Sequence, residues 1–247
     1  MTPRSLQHPR QDPAADGDRH AAVYDQIYGA RFAPEAAVSG GVLELGAGTG
    51  RLAIPLAARG IRVDGVEASQ AMIEQIRSRP GGNAVGITIA DLVGFDLPYH
   101  DYTAAVCAVS TLFMLPHPAQ QSCIRAAARH LRPGGALFIE AFRFDPGRFD
   151  AHGQRTEHRH AAIGTHTVRS RHDPARMTIT ITHVLGDENG RTSEYEVTLH
   201  YSTLDQLDAM AEAAGLTLAS RWHDWTGTAL RRDSTDPVSV YRQTRRR

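Results

Sequence analysis

Lysine is absent from all 247 residues, and every one of the 27 basic side chains is arginine. Schiff-base catalysis, a lysine-held pyridoxal phosphate and the lysine-dependent phosphate-binding P-loop are therefore excluded. Cysteine is scarce. Cys107 and Cys123 are too few for a disulfide framework, and Cys107 lies in an apolar run that reads as a buried strand. Both read as free thiols of a reducing compartment. Long apolar runs are also missing. The N-terminal MTPRSLQHPRQDPAADGDRH has no apolar stretch of signal-peptide length, and nothing elsewhere approaches the ~20 apolar residues of a membrane span. A cytoplasmic protein without membrane contact is the expectation. Excess charge is lacking too, since 27 basic residues face 27 acidic ones and the terminal RRR is too short to make a surface. That balance argues against nucleic acid as a partner and favours a small molecule.

What is present is an alternation of strands and helices. Residues 1–19 are polar and without periodicity and read as a disordered tail. From His20 to Ala37, Ala22, Val23, Tyr24, Ile27 and Tyr28 fall at helical spacing. Strands are then expected at Gly41 to Leu45, Ile61 to Val66, Ala84 to Ile89, Thr103 to Val109 and Ala136 to Ile139. Helices are expected at Arg51 to Arg59, Gln70 to Arg77 (with Ala71, Ile73 and Ile76 inward) and Ser122 to His130. The turn Arg132-Pro133-Gly134-Gly135 precedes the fifth strand. This rhythm predicts an α/β fold with a doubly wound parallel sheet, Rossmann-like and seven-stranded. Between about His158 and Tyr201 the pattern changes to alternating apolar and polar residues, with turn signals at Asp173-Pro174 and Asp187 to Gly190. It predicts an antiparallel β insertion after the fifth strand, within residues 150–202. A helix from Thr203 to Ala214, stopped by Gly215, and strands at Leu216 to Trp222 and Val238 to Tyr241 complete a domain over residues 20–247. The insertion suits a lid or a dimer surface, so monomer and homodimer both stay open.

The segment VLELGAGTG, residues 42–50, is the main chemical signal. Its glycines, Gly46, Gly48 and Gly50, form G-x-G-x-G. The dinucleotide fingerprint needs a glycine at position 51, where Arg51 stands, so NAD and FAD are disfavoured. Glu44 precedes the first glycine by two residues. Glu67 closes the second strand, where an acid can accept hydrogen bonds from both hydroxyls of a ribose. Asp91 follows the third strand, in reach of an adenine amino group.

In this order, E-L-G-x-G-T-G, V-E-A-S-x-x-M and A-D-L resemble the class I S-adenosylmethionine (SAM) dependent methyltransferases. The resemblance runs over nearly the whole chain from about residue 20. YDQIY near the start, and G-L-x-L-x-S-R-W-H-D-W followed by S-V-Y-R near the end, resemble a bacterial small-molecule branch. That branch includes sugar N-methyltransferases and enzymes like glycine N-methyltransferase. The resemblance implies SAM as cofactor and S-adenosylhomocysteine as product. It places Gly46, Ala47 and Gly48 against the methionine part, with Gly50 closing the loop and Glu44 near the ammonium or bracing the loop. It further puts Glu67 on the ribose, Ala68 and Met72 on the adenine face, Asp91 and Leu92 at the adenine edge, and Ser110 near the sulfonium.

Methyl transfer to an amine needs alignment and exclusion of water more than a base, whereas a hydroxyl or carbon acceptor benefits from one. Tyr24 and Tyr28, four residues apart, share a helical face, and in the resembling enzymes an N-terminal tyrosine closes over SAM; helix packing is the alternative. Glu140, at the carboxyl end of the fifth strand, is a candidate base or else a structural hydrogen-bond hub. Phe113, Met114, Phe142, Phe144 and Phe149 suit an apolar acceptor wall, with Arg143 and Arg148 able to hold an acidic acceptor. Glu157-His158-Arg159-His160, with His152 and His166, lacks the acid or cysteine pattern of a known zinc site, so no metal is expected and solvated strand histidines are favoured. One of these, or His200 or His223, stays open as a base. The expected activity is methylation of a small molecule at oxygen, nitrogen or carbon. A SAM-assisted cyclisation and a non-catalytic SAM-binding regulator are the alternatives.

Overall fold

The computed structural model describes residues 41–161, 164–186 and 191–244. The expected N-terminal tail, the helical stretch carrying Tyr24 and Tyr28, the turn signal at 187–190 and the terminal arginines lie outside the described residues. Along the chain come β1 (Val42–Leu45), α1 (Ala53–Ala58), β2 (Val63–Glu67), α2 (Gln70–Ser78), β3 (Gly86–Ile89), β4 (Tyr102–Cys107), α3 (His117–His130) and β5 (Leu131–Glu140). There follow β6 (Gln154–Ala161), β7 (Gly164–Asp173), β8 (Thr178–Gly186) and β9 (Thr192–His200), then α4 (Leu204–Ala213), β10 (Leu216–Trp222) and β11 (Val238–Gln243).

Seven strands form the main sheet in the order β3-β2-β1-β4-β5-β11-β10. Strands β1 to β5 are parallel, as expected, but β11 runs antiparallel to both of its neighbours, β5 and β10. The sheet is therefore mixed. The cause is connectivity: β10 and β11 form a hairpin rather than a strand-helix-strand crossover, and a hairpin reverses direction. All four β1 residues are buried, as a central strand covered on both faces requires. Chain order reverses between β1 and β4, which opens a crevice at their carboxyl ends.

Local chemistry fixes the helices. The Ser69 hydroxyl caps α2 by accepting from Met72 N at 3.1 Å. Its buried face is Met72, Ile73 and Ile76, with Met72 where the spacing had favoured Ala71. Helix α4 opens with a reciprocal capping box: Thr203 Oγ1 accepts from Gln206 N at 3.2 Å and Gln206 Oε1 from Thr203 N at 2.8 Å. Gly215, at φ +78, follows its last turn as expected. Helix α3 begins five residues before Ser122. Pro118 falls in its first turn, where proline's missing N–H costs nothing. The sequence Arg132 to Gly135, expected as a turn, is included in β5 with a register irregularity against β4. Both cysteines are free and buried; burial pushes the Cys107 thiol up to about 12 and the Cys123 thiol well up. Neither is poised as a nucleophile.

The insertion is a separate four-stranded antiparallel sheet in the order β6-β7-β8-β9. Cross-strand register places His166, Val168 and His172 of β7 on one face with Ile179, Ile181 and His183 of β8 and Tyr195, Val197 and Leu199 of β9. The other face carries threonines and the exposed Arg169–Glu194 pair at 2.8 Å. Ile179 and Tyr201 belong to the same buried cluster as Leu112, Phe113 and Leu137 of the main sheet side. The apolar face of the insertion thus packs beside the carboxyl ends of β4 and β5.

Candidate functional site

Two sets of residues meet in the crevice, the first built largely from backbone. Gly46 N and Ala47 N donate to Val66 O at 2.9 and 3.2 Å, which ties the glycine loop to β2. Gly46 has φ +75, and a Cβ there would lie 2.6 Å from Thr111 Cγ2. Only glycine fits, for both backbone conformation and space. The Glu67 carboxylate holds the loop from the other side: Oε2 accepts from Gly48 N at 2.8 Å, and Oε1 from Ala68 N and Ser69 N at 2.9 Å each. A carboxylate has roughly four acceptor positions, so Glu67 keeps one on Oε2 for a ligand hydroxyl.

Glu44 is buried beside it, 6% exposed, and its Oε2 has no hydrogen-bond partner. Burial first, then repulsion by Glu67, pushes its carboxyl up to about 8, against the opposing pull of Arg51 and the Ala53 N–H. A buried acid with one unpartnered oxygen next to a second acid suits a ligand that carries positive charge, and SAM with its ammonium fits this pair of acceptors. Met72 is buried outside the two large apolar clusters, and Ala68 and Leu92 are half-buried. Asp91 closes a turn, its Oδ1 accepting from Val93 N at 3.0 Å.

The second set is built from side chains. Val109 and Ser110 both adopt positive φ, 53° and 56°. Two such residues in succession cost about 1–3 kcal/mol each and need external bracing. Glu140 supplies it: Oε2 accepts from Val109 N at 2.6 Å, and its carbonyl accepts from Ser110 N at 3.0 Å. Ser110 Oγ in turn accepts from Phe142 N at 3.1 Å. Of the two roles open to Glu140, the hub is visible in these bonds. Phe113 is fully buried and meets Phe142 edge-on at 5.1 Å, while Met114 is half-buried beside it. Phe144 stacks on Tyr201 at 4.3 Å and contacts His172 at 4.2 Å; Phe149 also touches both Phe144 and His172.

The two arginines diverge from this wall. Arg143 Nη1 donates to the carbonyls of Arg231, Arg232 and Ser234 at 3.1–3.3 Å and so ties down the loop before β11. Arg148 is exposed, 3.9 Å from Glu157. Among the histidines, His158 is exposed and bonded to Thr167 Oγ1, and His152 is exposed; the side chain of His160 lies outside the described residues. His166 is not solvated: it is buried on the inner face of the insertion, its Nε2 at 2.9 Å from His183 Nδ1. His200 is half-buried, and burial together with nearby His117 lowers its pKa. His223 is held by Ser234 Oγ and Arg231 Nη2 at 2.8 and 2.7 Å.

Asp96, His100 and His130 form a group with metal-ligand spacing among the described residues. The buried His130, however, accepts from Leu97 N at Nε2 (2.9 Å) and pairs Nδ1 with Ala126 O (2.8 Å). Both its nitrogens are engaged in core bonds, so it has no lone pair for a cation.

His172 and Tyr201 are the residues that sequence reasoning did not single out. They hydrogen bond through His172 Nε2 and Tyr201 Oη at 2.9 Å in the middle of the phenylalanine wall. The available signal was the strand period: His172 shares a face with Val168, and β8 supplies Ile179 and Ile181 at matching positions.

A methyltransferase-domain family model matches residues 42–135. A curated relative, the dTDP-4-amino-2,3,4,6-tetradeoxy-D-glucose N,N-dimethyltransferase of Saccharopolyspora spinosa, is 30% identical over 226 residues, covering 80% of this chain and 85% of the relative. The solved CcbJ methyltransferase of Streptomyces caelestis is 32% identical with a TM-score of 0.84, covering 94% of this chain and 99% of that one. SAM-bound CalS10 of Micromonospora echinaspora, an amino pentose methyltransferase involved in calicheamicin biosynthesis, is 25% identical with a TM-score of 0.66, covering 98% of this chain and 100% of that one.

Proposed function

The chain belongs to the class I SAM-dependent methyltransferases, in their bacterial small-molecule branch, and from that premise we propose that it transfers a methyl group to an amine nitrogen of a small, largely apolar acceptor. The observation that carries this reading is the contact between the two halves of the site. The glycine loop meets Thr111, two residues before Phe113 of the aromatic wall, so closely that no Cβ fits on Gly46. A cofactor on the first and an acceptor on the second are then neighbours, the arrangement that in-line displacement needs.

Bound SAM supplies a methyl group activated by its sulfonium. Gly46, Ala47, Gly48 and Gly50 shape the bed for its methionine portion, and Glu44 faces the ammonium. Glu67 takes the ribose while keeping Gly48 in place, and Ala68, Met72, Asp91 and Leu92 enclose the adenine. Ser110, bonded to Phe142 N, stands where the two halves join. Phe142, Phe144 and Phe149, with Met114 and the buried Phe113 behind them, exclude water from the acceptor. Tyr24 and Tyr28 are assigned to closing the site over the cofactor. Arg143 is engaged with the C-terminal loop and is left out of acceptor binding.

Nitrogen is favoured for two reasons. The curated relative is named for N,N-dimethylation of an amino sugar and CalS10 for an amino pentose. In addition, Glu140 braces Val109 with a carboxylate oxygen, and an amine acceptor requires no strong carboxylate base. The test is the release of S-adenosylhomocysteine on mixing SAM and protein with matched pairs such as D-glucosamine and D-glucose, or cyclohexylamine and cyclohexanol. Turnover with the amines and not the alcohols is expected. Turnover confined to the alcohols, or a rearranged product without added methyl, overturns the assignment.

A further inference from the structure

We infer that His172 and Tyr201 form the proton-handling end of the acceptor chamber, taking the proton that an incoming ammonium must lose before its nitrogen can attack. This rests on the amine reading above and adds to it a residue pair that neither the glycine loop nor β5 supplies.

The geometry is specific. Tyr201 is 6% exposed, and its ring lies flat on Phe144, 13° from parallel. Burial first, then the nearby Asp173 carboxylate, raises the phenol above its ordinary value, so the hydroxyl keeps its proton. Tyr201 Oη and His172 Nε2 share a hydrogen bond of 2.9 Å, the phenol donating in the tautomer that carries the imidazole proton on Nδ1. Among the described residues neither Tyr201 Oη nor His172 Nδ1 has a further hydrogen-bond partner. A polar pair with spare acceptor capacity in an aromatic cage is costly unless something completes it. His172 is half-buried between Phe144 and Phe149 and so keeps a path to water.

The pair is also tied by chain to the junction of the two halves of the site. Phe142 N is bonded to Ser110 Oγ where the two halves of the site join. Phe144, which carries Tyr201 on its face, follows two residues later, about 7 Å of extended chain. The charged and titratable groups around the pair are Asp173, held low by the Arg176 backbone N–H and guanidinium, and His117, whose Nε2 lies 3.0 Å from Tyr201 O.

The step balances. An ammonium of the acceptor gives one proton to Tyr201 Oη while the tyrosine's own proton moves to His172 Nε2. The products are a neutral amine, an intact tyrosine and an imidazolium, so one positive charge enters and one is left, now on His172. The freed lone pair forms the new N–C bond as the C–S bond breaks and its electron pair stays on sulfur. The proton on Nδ1 then leaves for water, to which the half-buried ring keeps a path.

The test needs no turnover. Cyclohexylamine is titrated into the protein saturated with S-adenosylhomocysteine at pH 8, in buffers of differing ionisation enthalpy, which counts the protons released per amine bound. Wild type should release close to one, because the proton passes through Tyr201 and His172 to water and the amine is held neutral. Both His172→Gln and Tyr201→Phe should bind S-adenosylhomocysteine as wild type does, and either release close to none, the amine staying an ammonium, or bind the amine at least about tenfold more weakly. Equal affinity and equal proton release in wild type and both variants overturn the pair's role and leave the amine reading intact. Failure of wild type to bind the amine overturns the amine reading, and the inference with it.

Discussion

The cofactor half and the acceptor half of the crevice are made of different materials. Around Glu67 the ligand bed is backbone: one carboxylate gathers the N–H groups of Gly48, Ala68 and Ser69, and Gly46 is compressed against Thr111. Around Phe144 it is side chain: rings from Phe142, Phe144, Phe149, His172 and Tyr201, drawn from the exit of β5 and both ends of the insertion. A backbone bed tolerates little change of residue and suits a constant ligand. A wall of rings can be re-cut one residue at a time, which suits a branch whose members act on different acceptors.

Changes in the first half should therefore abolish cofactor binding, and changes in the second should alter the acceptor alone. The largest effect is expected for Glu67→Ala, which leaves three backbone N–H groups without their acceptor. At about 1–3 kcal/mol for each unsatisfied group, SAM affinity should fall more than about a hundredfold by calorimetry, with a lower melting temperature. Gly46→Ala comes next. Its φ and the Thr111 contact each oppose a methyl group, at a cost of about 1–3 kcal/mol for the backbone alone, and SAM affinity should fall roughly tenfold or more. Adding Thr111→Ser to relieve the contact should recover only part of that loss, because the backbone strain stays.

Phe144→Ala tests the other half. It should raise the KM for the amine about tenfold, roughly 1.4 kcal/mol, and leave the Kd for SAM unchanged within about twofold. A matching loss of SAM affinity would show that the halves are not separable.

The smallest effect is a pH dependence. Glu44 keeps its proton up to about 8 in the folded protein but loses it near its ordinary value of 4.5 when unfolded. Its contribution to stability is thus fully present below pH 4.5, declines as pH rises towards 8, and is flat above. Glu44→Gln mimics the protonated form. Wild type and variant should melt alike near pH 4, with wild type lower at pH 8.5. SAM binding at pH 7 should release a proton from wild type and none from the variant.

The same contrast explains what could be read in advance. The glycine loop, Glu44, Glu67 and Asp91 were legible because a strand-to-loop turn demands particular residue types at fixed intervals. The parallel core was legible because β1 and β4 are buried on both faces and read as largely apolar runs. The antiparallel β11 was not, since the direction of a strand is set by what precedes it and not by its own composition. The start of α3 was hidden because Pro116 and Pro118 interrupt the sequence ahead of Ser122, although the first helical turn accepts proline. Glu140 and Arg143 were legible as important and illegible in role. Their partners, Val109 N and the carbonyls of Arg231, Arg232 and Ser234, are distant in sequence. His172 was hidden by a β7 strand rich in polar residues on both faces, with Val168 as its clearest inward signal. It acquires meaning only from Tyr201, 29 residues on.

The most direct test of the account is to incubate the protein with SAM carrying a deuterated methyl group and with D-glucosamine or cyclohexylamine, and to locate the label by mass spectrometry. The account predicts the labelled methyl on the amine nitrogen, with one S-adenosylhomocysteine formed per methyl transferred. Bound SAM with the label left on sulfur, or label on an oxygen of the sugar, would contradict it.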